Sequence, residues 1–150
     1  MPRRLVLLPL VLVAACSNGP AQPKQGVSVA PVNGLSTSTL LSCADLQGQL
    51  PKELAAGISK RPAVPASSTT AAYGSDPAMK LRCGVRQGKA SDEPYTFDGV
   101  QWAMHDTGAS RTWTTRGLKV NLEVEVPDHF DAQAELLGAM ATAIRSALTR

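Results

Sequence analysis

The sequence predicts an α+β fold, and three observations carry that expectation. Leu118, Val120, Leu122, Val124 and Val126 alternate without a break with Lys119, Asn121, Glu123 and Glu125, the period-two signature of a strand with one buried and one wet face. Asp98-Gly99 stands between Thr96-Phe97 and Val100-Gln101 and supplies the positive φ values that a two-residue hairpin turn requires. Phe130, Ala134, Leu137, Ala141, Ile144 and Leu148 recur at steps of three and four, the apolar stripe of a helix that can cover the sheet. The expected architecture is short N-terminal helices, an antiparallel meander of about four strands, and a C-terminal helix packed on the sheet.

The chain begins with a leader. Arg3 and Arg4 form a basic start, Leu5 to Val13 is an apolar run broken only by Pro9, and Val13-Ala14-Ala15-Cys16 closes it. This order defines a secretory signal over residues 1–15. The apolar core is too short to span hydrocarbon, which takes roughly 20 residues of helix. Val-Ala-Ala-Cys resembles the bacterial lipobox, and the resemblance implies cleavage before Cys16, a thioether-linked diacylglycerol on its sulfur and often a third acyl chain on its amine. Each buried methylene contributes about 0.8 kcal/mol to anchoring, so two or more chains hold stably. The membrane is therefore the first expected partner, and the expected location is the outer face of the cytoplasmic membrane.

Loss of Arg3 and Arg4 with the leader takes the formal net charge from +3 to +1. Nucleic-acid binding, which needs basic residues clustered on one face, is not expected. The remaining chain is one domain's worth. With Cys16 used by lipid, Cys43 and Cys83 are an even pair in an oxidising compartment, where disulfides persist. Their pairing is expected to stabilise the fold by roughly 4 kcal/mol in the chain-entropy account. Two distant cysteines without CxxC spacing do not make a zinc site.

Residues 16–39 carry the lipidated Cys16 and a run rich in Ser, Thr, Asn, Gln, Gly and Pro. Such a composition buries too little apolar surface to offset its ordering entropy. It reads as a tether reaching about 25–30 Å as a flexible coil, with Val27, Val29 and Val32 as candidates for a short edge strand. The domain is expected over residues 40–150. Ser42-Cys43-Ala44-Asp45 reads as a helix start, and Leu46 and Leu50 share a face. Pro51 suits the first turn of a second short helix through Leu54 and Ile58. Residues 60–72 read as a loop. Met79, Leu81 and Cys83 form the first strand. Val100, Trp102 and Met104 share a face of the next, Asp106 to Ala109 turns the chain, and Arg111 to Thr115 returns. Pro127-Asp128 is expected to cap the last helix.

Four pieces together resemble a known family. They are the lipobox with its spacer, Cys43-Ala44-Asp45-Leu46 followed by Leu50-Pro51, Ala72-Tyr73-Gly74 leading into Leu81-Arg82-Cys83-Gly84-Val85, and Asp98-Gly99-Val100-Gln101-Trp102. They look like the actinobacterial exported lipoproteins catalogued as domain of unknown function thirty-five fifteen. The resemblance spans roughly residues 27–145. It implies an address and two paired cysteines, and brings no reaction.

Candidate chemistry is sparse. His105 and Asp106 are adjacent on a strand, so their side chains point to opposite faces and do not pair readily; Ser110 lies nearby without a nucleophile elbow. His129 falls early in the last helix and reads as solvated. Glu123 and Glu125 stand about 6–7 Å apart by strand rise, a spacing found in glycosidases, but on the wet face near Lys119. No P-loop, dinucleotide fingerprint, HExxH or EF-hand loop is present, and no cofactor or metal is expected. Trp102 and Trp113 lie on successive strands and stand opposite each other if the turn is Asp106 to Ala109. They read either as core or as a stacking platform for a flat ligand, with Tyr73 as another candidate pocket wall.

The expectation is a non-enzymatic interaction module at the cell envelope, acting on an envelope protein. The alternative is a small-ligand or cell-wall glycan binder, and a cell-envelope hydrolase stands behind both. Metabolic labelling with a fatty-acid analogue should mark the chain and should fail on Cys16→Ala. Equal labelling and membrane retention of that variant would overturn the lipid assignment.

Overall fold

A computed structural model of the chain describes residues 25–87 and 94–149. The leader, Cys16 and residues 17–24 lie outside the described residues. The elements in order are β1 (Val27–Ser28), α1 (Thr37–Gln49), β2 (Glu53–Leu54), a 3-10 turn (Ala55–Gly57), β3 (Ile58–Arg61), β4 (Ala63–Val64), β5 (Thr70–Tyr73) and β6 (Met79–Val85). Then follow β7 (Tyr95–Phe97), β8 (Val100–Asp106), β9 (Ser110–Arg116), β10 (Asn121–Pro127), α2 (Gln133–Ala139) and α3 (Ala141–Leu148). The fold is α+β, as the sequence predicts.

One antiparallel sheet of eight strands runs β2-β3-β5-β6-β10-β9-β8-β7. Two meanders therefore meet where β6 pairs with β10. The second meander matches the expected hairpins: Asp98 (φ 46) and Gly99 (φ 79) both take left-handed conformations, as a type I′ turn requires. The first meander comes largely from residues read as helix and loop. The expected second helix from Pro51 to Ile58 is absent, because Ala56 and Gly57 are left-handed in succession (φ 58 and 73), and a right-handed helix cannot pass through them. The chain turns there and β3 pairs with β5, placing Lys60 opposite Tyr73 and Arg61 opposite Ala72.

Helices lie on the apolar face of the sheet. α1 packs on α3 and β6, α2 on β7, and α3 on β8. Leu46, Leu81, Trp102, Leu122, Leu137 and Ile144 are among the most deeply buried side chains between the two layers. α1 begins five residues before the expected Ser42. Ser36 caps it by accepting a hydrogen bond from Thr39 N at 3.2 Å, a local stop on the unpaired N–H groups of the first turn. The last helix is two helices meeting at Met140, and it starts at Gln133 rather than beside Asp128. Ala132, left-handed at φ 53, separates its start from the turn after β10.

The opposite face carries cross-strand charge pairs. Arg82 meets Glu123 at 3.2 Å and Lys80 meets Glu125 at 3.7 Å. Residues expected to be tether cover part of this face: Val27 and Val29 are buried against Ala72 and Ala78. β1 pairs with β4 in a short parallel ribbon, and the Gln25 carbonyl accepts from Arg61 at 2.7 Å. Packing of the domain thus starts before Leu40, with Val27 and Val29 docking an otherwise polar run.

The Cys43–Cys83 disulfide joins α1 to β6 with Cα atoms 5.7 Å apart and a sequence separation of 40. Both cysteines are fully buried. Reduction should lower the free energy of denaturant unfolding by about 4 kcal/mol in the chain-entropy account. An unchanged midpoint in the reduced protein would show that packing alone holds α1 to the sheet.

Candidate functional site

The three aromatic candidates separate in the structure. Tyr73 is buried on β5, and its hydroxyl donates to the Pro51 carbonyl at 2.8 Å. Trp102 is fully buried on β8. Both belong to the core. Trp113, on β9, is 6% exposed and its edge reaches the wall of an open groove.

The two tryptophans do not face each other. Trp113 stands opposite Met104, and Trp102 opposite Thr115. The turn causes the difference. Asp106 still pairs with Arg111, and the reversal is made by Thr107 to Ser110. Thr107 donates through its backbone N–H and hydroxyl to the Ser110 carbonyl at 3.0 and 2.8 Å, and Gly108 N donates to the Asp106 carboxylate at 2.7 Å. Moving the pairing sum by two keeps every side chain on its expected face while separating the pair.

Trp113 has other aromatic neighbours. The Tyr95 and Phe97 rings meet it edge-on, with centroids 5.3 and 5.4 Å away, a favoured geometry for aromatic pairs. Its indole N–H donates to Gln133 Oε1 at 2.9 Å. This cluster forms one side of a groove of about 530 Å³ that also reaches Met104 and Arg111. The loop after β10 forms the other side through Asp128, Phe130, Asp131 and Gln133. Tyr95 is 45% exposed there. The volume lies within the range of small-ligand clefts, and the lining is more polar than the mostly apolar walls usual for them.

Gln133 holds an asymmetric position in the groove wall. Trp113 uses its oxygen, and its Nε2 is buried without a hydrogen-bond partner in the protein. A buried donor left unpaired costs about 1–3 kcal/mol. Sequence reading missed Gln133, Tyr95 and Asp131. Gln133 sits where a helix surface residue was expected, and Tyr95 lies upstream of the hairpin that drew attention. A run of Tyr-Thr-Phe opposite Val-Gln-Trp was the available signal for an aromatic edge strand.

A second cavity of about 490 Å³ lies behind Phe130, lined by Ile58, Ser59, Arg61, Gly74 and Ser75 among others. Gly74 is left-handed at φ 80, and a Cβ there would sit 2.6 Å from the Phe130 ring. The guanidinium of Arg61 is already committed to Asp76 at 2.9 Å and to the carbonyls of Gly74 and Gln25.

Asp106, Ser110, Glu123 and Glu125 are hydrogen-bonded or ion-paired within the sheet and its turn. The Asp106 carboxylate accepts from Gly108 N and lies 3.7 Å from Arg111. The Ser110 hydroxyl bonds the Thr107 hydroxyl at 2.9 Å. His105 pairs across the sheet with Thr112. His129 is exposed and rests against the Phe130 ring, with centroids 4.1 Å apart. Glu123 and Glu125 are held by Arg82 and Lys80. Among the described residues no three His, Cys, Asp or Glu side chains are grouped to hold a metal ion.

Fold and groove together define a disulfide-tied α+β domain with an open, aromatic-walled cleft. The chain belongs to the family described as Protein of unknown function (DUF3515), whose profile matches residues 3–150. No curated protein and no solved structure matches it.

Burial pushes the Tyr73 phenol above its ordinary value near 10. The folded state holds the neutral form, so the associated stability is complete below the unfolded-state pKa and is lost as pH rises through the folded-state value. Tyr73→Phe should cost about 1 kcal/mol near neutral pH through the lost hydrogen bond. It should also flatten the alkaline decline in stability above pH 10. An identical alkaline slope in the variant would assign that decline to other groups.

Proposed function

We propose that the chain is an exported lipoprotein, held at the outer face of the cytoplasmic membrane through Cys16, whose domain is a non-catalytic module that binds a small ligand or glycan in the Trp113 groove. The observation that carries the binding reading is convergence. One open cleft gathers a half-exposed tyrosine, a tryptophan, a methionine and the polar side chains of Arg111, Asp128, Asp131 and Gln133. Aromatic surface offers stacking to the flat C–H face of a sugar, and the guanidinium and carboxylates offer hydrogen bonds to its polar rim. The leader and the Val-Ala-Ala-Cys junction support the anchor. The docked valines shorten the spacer to residues 17–24, a span of at most about 30 Å when extended. Binding would therefore occur close to the membrane, in the layer where cell-wall glycans lie.

A protein partner is the second reading. Leu40 and Leu41 are adjacent on α1 and 39% and 66% exposed, the kind of apolar surface that marks a contact when it is contiguous.

Cell-wall glycan fragments titrated into the full chain in detergent should shift tryptophan fluorescence. Trp113→Phe should remove the shift, because the remaining Trp102 is sealed in the core. If no fragment alters the signal, while a photocrosslinker at Leu41 captures one protein reproducibly in intact cells, the partner reading replaces the glycan one.

A further inference from the structure

We infer that the groove and the cavity behind Phe130 are two parts of one trough, and that Phe130 is a movable partition that swings out to join them. Phe130 lines both cavities, of about 530 and 490 Å³, so its ring is the wall they share. The floor beneath the ring is fixed. Gly74 donates its N–H to the Ser59 carbonyl at 3.0 Å, and its own carbonyl accepts from Arg61 at 3.0 Å. Gly74 has no side chain where the ring rests: a Cβ there would lie 2.6 and 2.8 Å from Phe130 Cζ and Cε1. The closed position of the ring therefore requires glycine at 74.

The segment that carries the ring is held less firmly than the floor. Residues 128–132 connect β10 to α2 outside any helix or strand, and Phe130 is the one buried side chain among them. Asp128 and Phe130 donate their N–H groups to the Ala109 and Pro127 carbonyls at 3.2 and 3.0 Å, which fixes the first half of the segment. Among the described residues no ion pair ties Asp128, His129 or Asp131. The second half ends at Ala132, left-handed at φ 53 and without a side-chain cap on α2. An alanine there carries a steric penalty that a right-handed conformation releases. Ala132 is therefore the hinge, at the end of an element where hinges commonly fall. Opening exchanges the burial of one phenyl ring against relief of one left-handed alanine, and the two effects are of the same order. With the ring in, the groove ends at Phe130; with it out, the trough continues to Ile58 and Ser59. The partition sets the length of ligand the site holds, whatever that ligand is.

The chain has two phenylalanines, Phe97 and Phe130. Labelling with para-fluorophenylalanine therefore gives the full chain in detergent micelles two fluorine resonances, assigned with Phe97→Leu. Relaxation dispersion reads microsecond-to-millisecond exchange. It should show exchange at Phe130 and none of that size at Phe97, which β7 holds edge-on to Trp113. Ala132→Gly removes the left-handed penalty and should lower the open population at least about fivefold. Gly74→Ala should move the Phe130 resonance to the position that dispersion assigns to the minor state and leave Phe97 in place, with far-UV circular dichroism to check its fold. If Gly74→Ala does not fold, Ala132→Gly decides the matter by itself. A Phe130 line free of exchange would overturn the inference, as would unchanged exchange in Ala132→Gly. Equal exchange at Phe97 would report opening of the whole sheet edge and overturn it too. No ligand enters these measurements, so their failure is distinct from failure of the glycan titration that tests the groove reading.

Discussion

The pairing of β6 with β10 is the constraint on which the rest of the structure depends. It joins two meanders that are distant in sequence, and nothing local brings them together. On the inner face it sets Leu122 against Cys83 and Val124 against Leu81; on the outer face it sets Glu123 against Arg82 and Glu125 against Lys80. One register therefore satisfies an apolar demand and a charge demand at once. A one-residue slip would drive the charges into the core and the leucines into water. The same pairing places Cys83 under α1, so the disulfide ties the helical layer to the centre of the sheet and not to an edge.

The ladder is irregular at one point, and the repair is specific. The register of β10 against β6 shifts between Asn121 and Leu122. The Leu122 N–H donates instead to the buried hydroxyl of Thr115 at 2.8 Å. Thr115 is fully buried opposite Trp102, so a hydroxyl inside the core is tolerated because it answers a backbone donor that would otherwise be stranded. Expected alternation began at Leu118, whereas β10 begins at Asn121; the shift and the preceding bend account for the missing residues.

The groove is a consequence of where the helical layer stops. α2 starts only at Gln133, so the chain from Asp128 to Ala132 crosses the open end of β8 and β9 as a loop. Phe130 reaches down to fill the space next to Gly74. Had the helix begun at Asp128, its first turns would cover the Trp113 edge. Trp102, two residues further along the sheet from Met104, lies beneath the helices and is sealed. The division of the two tryptophans between core and groove thus follows from the helix start and not from the tryptophans themselves.

Much of this was written in local sequence. Strict alternation along β10, the Asp98-Gly99 turn and the three-four spacing after Phe130 each state a period, and a period fixes secondary structure when burial on one face rewards it. The even pair Cys43 and Cys83 was legible because only two cysteines remain once Cys16 is set aside. The family was legible from the motifs around Cys43, Cys83 and Trp102. Tertiary structure alone decided the rest. Residues 51–61 carry weak, conflicting local preferences, and pairing with β5 outweighed a helix that Pro51 and the spacing of Leu54 and Ile58 had suggested. Val27 and Val29 look like punctuation in a polar run until Ala72 and Ala78 offer a surface to bury them. Tyr95, Trp113 and Gln133 come from three segments, and their meeting depends on a turn shifted by two residues and on a helix that begins late. Local sequence sets periods and turns through short-range sterics. Which faces meet, and which aromatic stays open to solvent, is set by long-range packing that no single segment encodes.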